Sequence, residues 1–184
     1  MEALGATIVP VALPDLETTV TTFTDVFDVE MRAAHAGLYP QRAADYGPLT
    51  RHALAHFSTR DPLIHVKGAI EARAFRQRID QLFDDIDVLL CPVSQLTAAP
   101  QVGHDIVTEI FANDHRNIIR LTRLTSFWDL AATPAISLPW GFDGDGLPLA
   151  VQLVSRVGAD EALLSLAARL EAEAPERGRR PPLE

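Results

Sequence analysis

Two short apolar runs dominate the last third of the chain, Ala135 to Leu138 and Leu149 to Val154, both aliphatic and bounded by proline or glycine. Runs of that kind predict buried strands. Between them, Gly141 to Pro148 holds Gly141, Gly144, Gly146, Asp143 and Asp145. These residues supply positive φ and side-chain-to-backbone hydrogen bonds, so the unit predicts a β-hairpin with a loop longer than the two-residue minimum. Leu163, Leu166, Ala167 and Leu170 then recur at helical spacing within Asp160 to Ala174.

The earlier chain alternates in the same way. Thr7 to Leu13 predicts a strand, with Pro10 inside it placing it at an edge or a strand end. Asp15 precedes a helix whose apolar stripe is Leu16, Val20, Phe23, Phe27 and Met31, and Gly37 and Pro40 end it. Residues 42–61 are helical in parts, with Tyr46, Leu49, Leu54 and Phe57 as core contacts. Asp61 and Pro62 fit an N-cap followed by an N1 proline. The third helix, Pro62 to about Asp85, carries Ile64, Phe75, Ile79, Leu82 and Phe83 among arginines and acids, and Asp87 to Val93 follows as a buried strand. Pro100 to Asn113 is expected to be a loop, and His115 to Leu124 a helix with Ile118, Leu121 and Thr122 on one face.

No repeat or linker divides the pattern, which predicts one α/β domain over residues 1–184, a mixed sheet with helices packed on it. A chain of 184 residues can bury about 70% of its unfolded surface in one core. Hydrophobic residues make up 47%, yet no apolar run approaches the roughly 20 residues needed to cross a bilayer. The opening M-E-A-L-G-A-T-I-V-P lacks the layout of a secretory signal, and the single cysteine suits a reducing cytoplasm. The cytoplasm is therefore the expected location. A net charge of −9 argues against nucleic-acid or anionic-membrane partners. The basic stretch Arg177 to Arg180 lies in a proline-punctuated end, and residues 175–184 are expected to form a flexible, solvated tail.

Several residues could carry chemistry. His52 and His56 have the i, i+4 spacing of a zinc helix but lack the adjacent glutamate of H-E-x-x-H, so no metal site is expected. Cys91 with His104 could imitate a cysteine-hydrolase dyad, although a lone cysteine in V-L-L-C-P reads as a buried small hydrophobe. Arg73, Arg76 and Arg78 read as a solvated helix face. Gln152 alternates with Val151 and Leu153, so it faces away from them and is expected to bond a neighbouring backbone. Gly141, Gly144 and Gly146 precede a strand, which excludes a phosphate loop at a helix N-terminus.

The order D-L-A-A-T-P-A-I-S-L-P-W-G-F, then G-L-P-L-A-V-Q-L-V-S, then D-E-A-L-L-S-L-A-A-R-L-E resembles the C-terminal end of the amidase signature family. The family's pattern there is approximately N-L-x-G-x-P-x-x-S-x-P-x-G-F, a short turn, G-L-P-x-G-x-Q-x-x-G and a helix. Upstream, G-A-T-I-V-P-V-A-L-P, D-V-F-D-V-E-M and D-V-L-L-C-P-V-S are similar to the family's preceding strand, helix and strand, so the resemblance covers nearly the whole chain. Three positions depart from it: Asp129 stands for asparagine, Ala132 for glycine, and Trp140 for a small residue or cysteine.

The resemblance implies hydrolysis of carboxamides, or transfer of ammonia from glutamine, by a lysine and two serines without metal or organic cofactor. One serine is the nucleophile and the other, after a cis peptide bond, relays protons. The G-G-S-S-x-G-S signature that carries them is missing here. The only lysine is Lys67, and serines 58, 94, 126, 137, 155 and 165 all lie outside glycine-rich turns. The expectation is thus a C-terminal segment with no catalytic residue of its own. Arg73, on the helix that carries a substrate-carboxylate arginine in transamidation subunits, is the nearest candidate for that role. Trp128 and Asp129, beside the turn that borders the family's cleft, are the other candidate substrate contacts, and Asp129 could equally brace that turn. The implied partners are a small amide substrate in the intact enzyme and either a missing N-terminal half or a second copy of the chain, because truncation leaves sheet edges and apolar surface uncovered.

Overall fold

The computed structural model describes residues 1–13, 15–56, 61–95, 97, 122–174 and 178–179. Helix α1 spans Leu16–His35, α2 Pro48–His56 and α3 Pro62–Leu82. Strand β1 (Leu89–Pro92) follows, then a short helix α4 (Ser126–Ala131), strands β2 (Ala135–Phe142) and β3 (Pro148–Val154), and helix α5 (Asp160–Ala172). The helix expected at 115–124 falls mostly outside the described residues, as do His104, Phe57 and the side chain of Leu49.

The α/β class is as expected, and the described strands form one antiparallel sheet in the order β1-β3-β2. Leu89 opposes Val154 and Cys91 opposes Gln152, while Ser137 opposes Gln152 from the other side. The hairpin closes through Asp143, whose Oδ1 accepts the N–H groups of Asp145 at 2.9 Å and Leu147 at 2.8 Å. Register shifts between Pro139 and Phe142, where Gly141 takes φ 102°.

Thr7 to Leu13 does not form the expected strand. It runs irregularly, with Val11 and Leu13 packed on the core, and Pro10 removes one of the donors a ladder would need. A strand exists only where a neighbouring edge accepts its hydrogen bonds, and no described strand does so here.

Helix caps follow the sequence closely. Asp61 accepts the N–H of Leu63 at 2.9 Å with Pro62 behind it. Asp15 accepts the hydroxyl of Thr18 and the N–H of Glu17, and these bonds hold its carboxyl below the usual carboxylate range. The cap's contribution is therefore present above the ordinary range and is lost as pH falls through the lowered titration.

The sheet carries a core on each face. On one, Leu138 and Leu153 pack against Leu163, Ala167 and Leu170 of α5. On the other, Phe75 and Ile79 of α3 meet Phe127 and Trp128 of α4, with Leu89 and Val154 beneath. Phe75 and Phe127 cross edge to face at 4.6 Å between centroids, a preferred aromatic geometry. Each such side chain contributes about 2–3 kcal/mol by leaving water.

Helix α1 turns most of its apolar stripe inward, with Val20 buried and Leu16 and Phe23 packed on the core, but the inward face is displaced from the stripe's centre. Thr19, Val20 and Thr22 are buried while Phe27 is 45% exposed. Burial of Thr19 is tolerated because its hydroxyl donates to the Asp15 carbonyl at 2.7 Å. The close approach of α3 at Gly68 fixes this rotation, since a Cβ there would lie 3.1 Å from Asp25 Cβ and 3.2 Å from Val26 Cγ2. Replacement Gly68→Leu should force the two helices apart and cost about 1–3 kcal/mol, read as a lower urea midpoint. An unchanged midpoint would show that the two helices do not pack this tightly.

Candidate functional site

The segment bearing Trp128 and Asp129 is short, buried and sharply ended. Helix α4 stops at Ala132, which adopts the left-handed conformation at φ 57°, ψ 35°. Thr133 donates its N–H to the Trp128 carbonyl at 3.3 Å and Ala132 to the Asp129 carbonyl at 3.1 Å, the paired closure of a Schellman turn. The next carbonyl, that of Leu130, accepts from Arg76 Nε of α3 at 2.8 Å. Three terminal carbonyls are thereby satisfied, and the chain is aimed through Pro134 into β2.

This placement corrects part of the arginine reading. Arg76 does not belong to a purely solvated face, because it clamps the turn from the neighbouring helix, and Arg78 lies over the Phe75 ring at 5.9 Å. The only signal for Arg76 in the sequence was its place next to the core residue Phe75.

The three candidate substrate contacts are placed differently. Trp128 is 2% exposed and packs against Phe127 inside the core. Asp129 beside it is exposed, and the turn uses its backbone carbonyl. Arg73 is exposed on α3, one turn before Arg76. Near this end of α4 a cavity of about 270 Å³ opens between α1, α3 and α4, lined by Asp15, Thr18, Thr22, Glu71, Arg78 and Leu130.

Gln152 behaves as its alternation indicates. Its amide Nε2 donates to the Pro92 carbonyl at 2.9 Å and the Leu124 carbonyl at 3.0 Å, fastening the end of β1 to the segment before α4. Cys91, opposite it, is partly buried. Burial pushes the thiol up from its ordinary range, and the side chains of Gln152 and Trp128 oppose the shift only in part. A thiol in that state is a poor nucleophile.

Among the described residues no group of three or more His, Cys, Asp or Glu side chains could hold a metal ion, and no helix is long and apolar enough to cross a membrane. His52 is exposed on α2. Lys67 is exposed on α3 and hydrogen-bonds no described serine, and Ser126 donates instead to the Thr122 carbonyl at 2.9 Å.

A family model described as amidase matches residues 1–164, from the first residue into α5. The chain belongs to the amidase family. Among curated amidase relatives, a putative amidase AmiB2 of Mycobacterium bovis is 36% identical over 108 residues, covering 56% of this chain and 22% of the relative. A glutamyl-tRNA(Gln) amidotransferase subunit of Synechococcus is 38% identical over 118 residues, covering 64% of this chain and 23% of the relative. A crystal structure of an amidase superposes with a TM-score of 0.76 at 24% identity, covering 95% of this chain and 39% of that one. The chain thus spans less than a quarter of those two curated relatives and about two fifths of that solved amidase.

Two expectations come from this geometry. Ala132→Gly should stabilise the chain by about 1 kcal/mol, because the left-handed turn penalises a Cβ; a lower melting temperature in calorimetry would contradict the turn geometry. Iodoacetamide at neutral pH should modify Cys91 more slowly in the folded chain than after unfolding in urea, with the folded rate rising as pH increases. Equal rates in the two states would show that the thiol is not held protonated by burial.

Proposed function

We propose that residues 1–184 are the C-terminal portion of an amidase signature enzyme, supplying part of the substrate cleft's wall and none of its bond-breaking groups. The observation that carries this reading is the pairing of a family match over residues 1–164 with a chain that has one lysine, no G-G-S-S-x-G-S and no serine in a glycine-rich turn. A nucleophilic hydroxyl needs a base within hydrogen-bond reach and donors for the oxyanion. Lys67 has no described serine within hydrogen-bonding distance to activate.

In the intact enzyme, a serine oxygen from the rest of the polypeptide attacks the amide carbonyl carbon. The tetrahedral intermediate expels ammonia or an amine with a proton delivered through the lysine and second serine, and water then releases the acid from the acyl-serine. No metal or organic cofactor enters this reaction. The contribution of this chain is positional: the Arg76 clamp and the Schellman turn hold the exposed Asp129 at a fixed place, and Arg73 stands nearby on α3 to meet a polar group of the amide. Trp128 contributes from behind, as packing under the turn. A cytoplasmic location and the absence of nucleic-acid or membrane partners remain part of the reading.

A second reading is a non-catalytic module that complements a separately supplied N-terminal portion or associates with itself. The exposed apolar residues Leu63, Val66 and Ile70, which share one outward face of α3, favour it.

Purified 1–184 should release no more ammonia from acetamide, benzamide or glutamine than a protein-free blank. Turnover well above that blank would overturn the absence of catalytic groups. Light scattering that shows a clean monomer, with no binding of an apolar dye, would count against the complementing or self-associating module.

A further inference from the structure

At the far end of α1, roughly 20 Å along the helix from Thr18 at the helix rise of about 1.5 Å per residue, lies a second and larger cavity of about 460 Å³. Its floor is Leu54 of α2, which is 1% exposed. Ala36, Ala55 and Pro40 form apolar walls, and Tyr39, His35 and Arg32 complete the lining. None of these described lining residues is acidic, in a chain whose net charge is −9.

The aromatic side of the cavity is held in place before any ligand arrives. The Tyr46 hydroxyl and His35 Nδ1 share a hydrogen bond of 3.0 Å. Their rings meet edge to face with centroids 5.3 Å apart, and Tyr39 crosses Tyr46 the same way at 6.0 Å. Groups locked by one another lose little freedom on binding, which favours a rigid guest. An apolar cavity of about 150 Å³ already accepts benzene, so this one has room for a substituted ring.

From these walls and this charge we propose a binding site for a small cyclic or aromatic carboxylate, its ring against Leu54, Pro40 and Tyr39 and its anionic group toward Arg32 and His35. A guanidinium carries five donors in a fixed fork and can serve more than one acceptor at once. An apolar pocket with a few convergent polar groups is the usual form of a small-molecule site. The pocket is separate from the α4 turn and does not depend on the amidase reading.

The test is a calorimetric titration of the full 184-residue chain with phenylacetate, 2-phenylethanol and 2-phenylethylamine. Phenylacetate should bind with a Kd of about 1 mM or tighter, the range open to a fragment of roughly ten heavy atoms. The alcohol should bind about tenfold more weakly and the amine more weakly still. Arg32→Gln keeps two of the three side-chain methylenes and should weaken phenylacetate about tenfold while leaving the alcohol unchanged. Ala36→Trp, introduced at an exposed position on the rim, should abolish binding of both while the melting temperature stays the same. No saturation by phenylacetate up to about 20 mM, equal affinity for acid and amine, or phenylacetate binding unaffected by Arg32→Gln would each overturn the proposal. Should Ala36→Trp not fold, the acid-amine comparison and Arg32→Gln decide it.

Discussion

A helix that ends inside a protein must find donors for its last carbonyls, and that requirement organises the middle of this molecule. Helix α4 is short and its residues Phe127, Trp128, Leu130 and Ala131 are buried, so its last carbonyls need partners close at hand. The left-handed turn at Ala132 closes two carbonyls locally, and Arg76 closes a third from α3. The same bonds therefore stop the helix, tie it to α3 and set the direction of β2.

The device recurs. Arg156, just after β3, donates through Nη2 to the Phe83 carbonyl at the end of α3 and lies 3.9 Å from Asp84. Gln152 supplies one buried amide to two carbonyls, those of Pro92 and Leu124. Polar side chains from sequence-distant segments thus hold the junctions between elements, while the apolar cores hold the elements themselves. Gln152 costs little to bury because its partners replace water. At the hairpin, Arg179 lies over the Phe142 ring at 4.1 Å, so that described part of the basic terminal stretch returns to the fold.

The outward face of α3 carries Leu63, Val66 and Ile70, and Ile8, Val9 and Leu90 are exposed around the N-terminal segment and β1. Scattered apolar residues are ordinary on a monomer, but three on one helical face next to an arginine-bearing flank form a local patch. Its position on α3, whose other side carries the core and the Arg76 clamp, means that one helix links the interior, the turn and the outer surface.

The sequence by itself determined the features that depend on neighbours along the chain. The Asp15 and Asp61 caps, the Asp143 turn with its glycines, the two strands of the hairpin and the spacing of α5 rest on bonds or periodicities that span a few residues. Tertiary structure decided the rest. It set the rotation of α1, in which Thr19 and Thr22 are buried and Phe27 is left half in water, while α3 approaches closely at Gly68. It set the interior position of Trp128, the role of Arg76 and the failure of Thr7 to Leu13 to become a strand. Each of these is settled by a partner far away in sequence: a helix face turns toward whatever packs on it, an arginine is solvated until a distant carbonyl lacks a donor, and a strand needs an open edge.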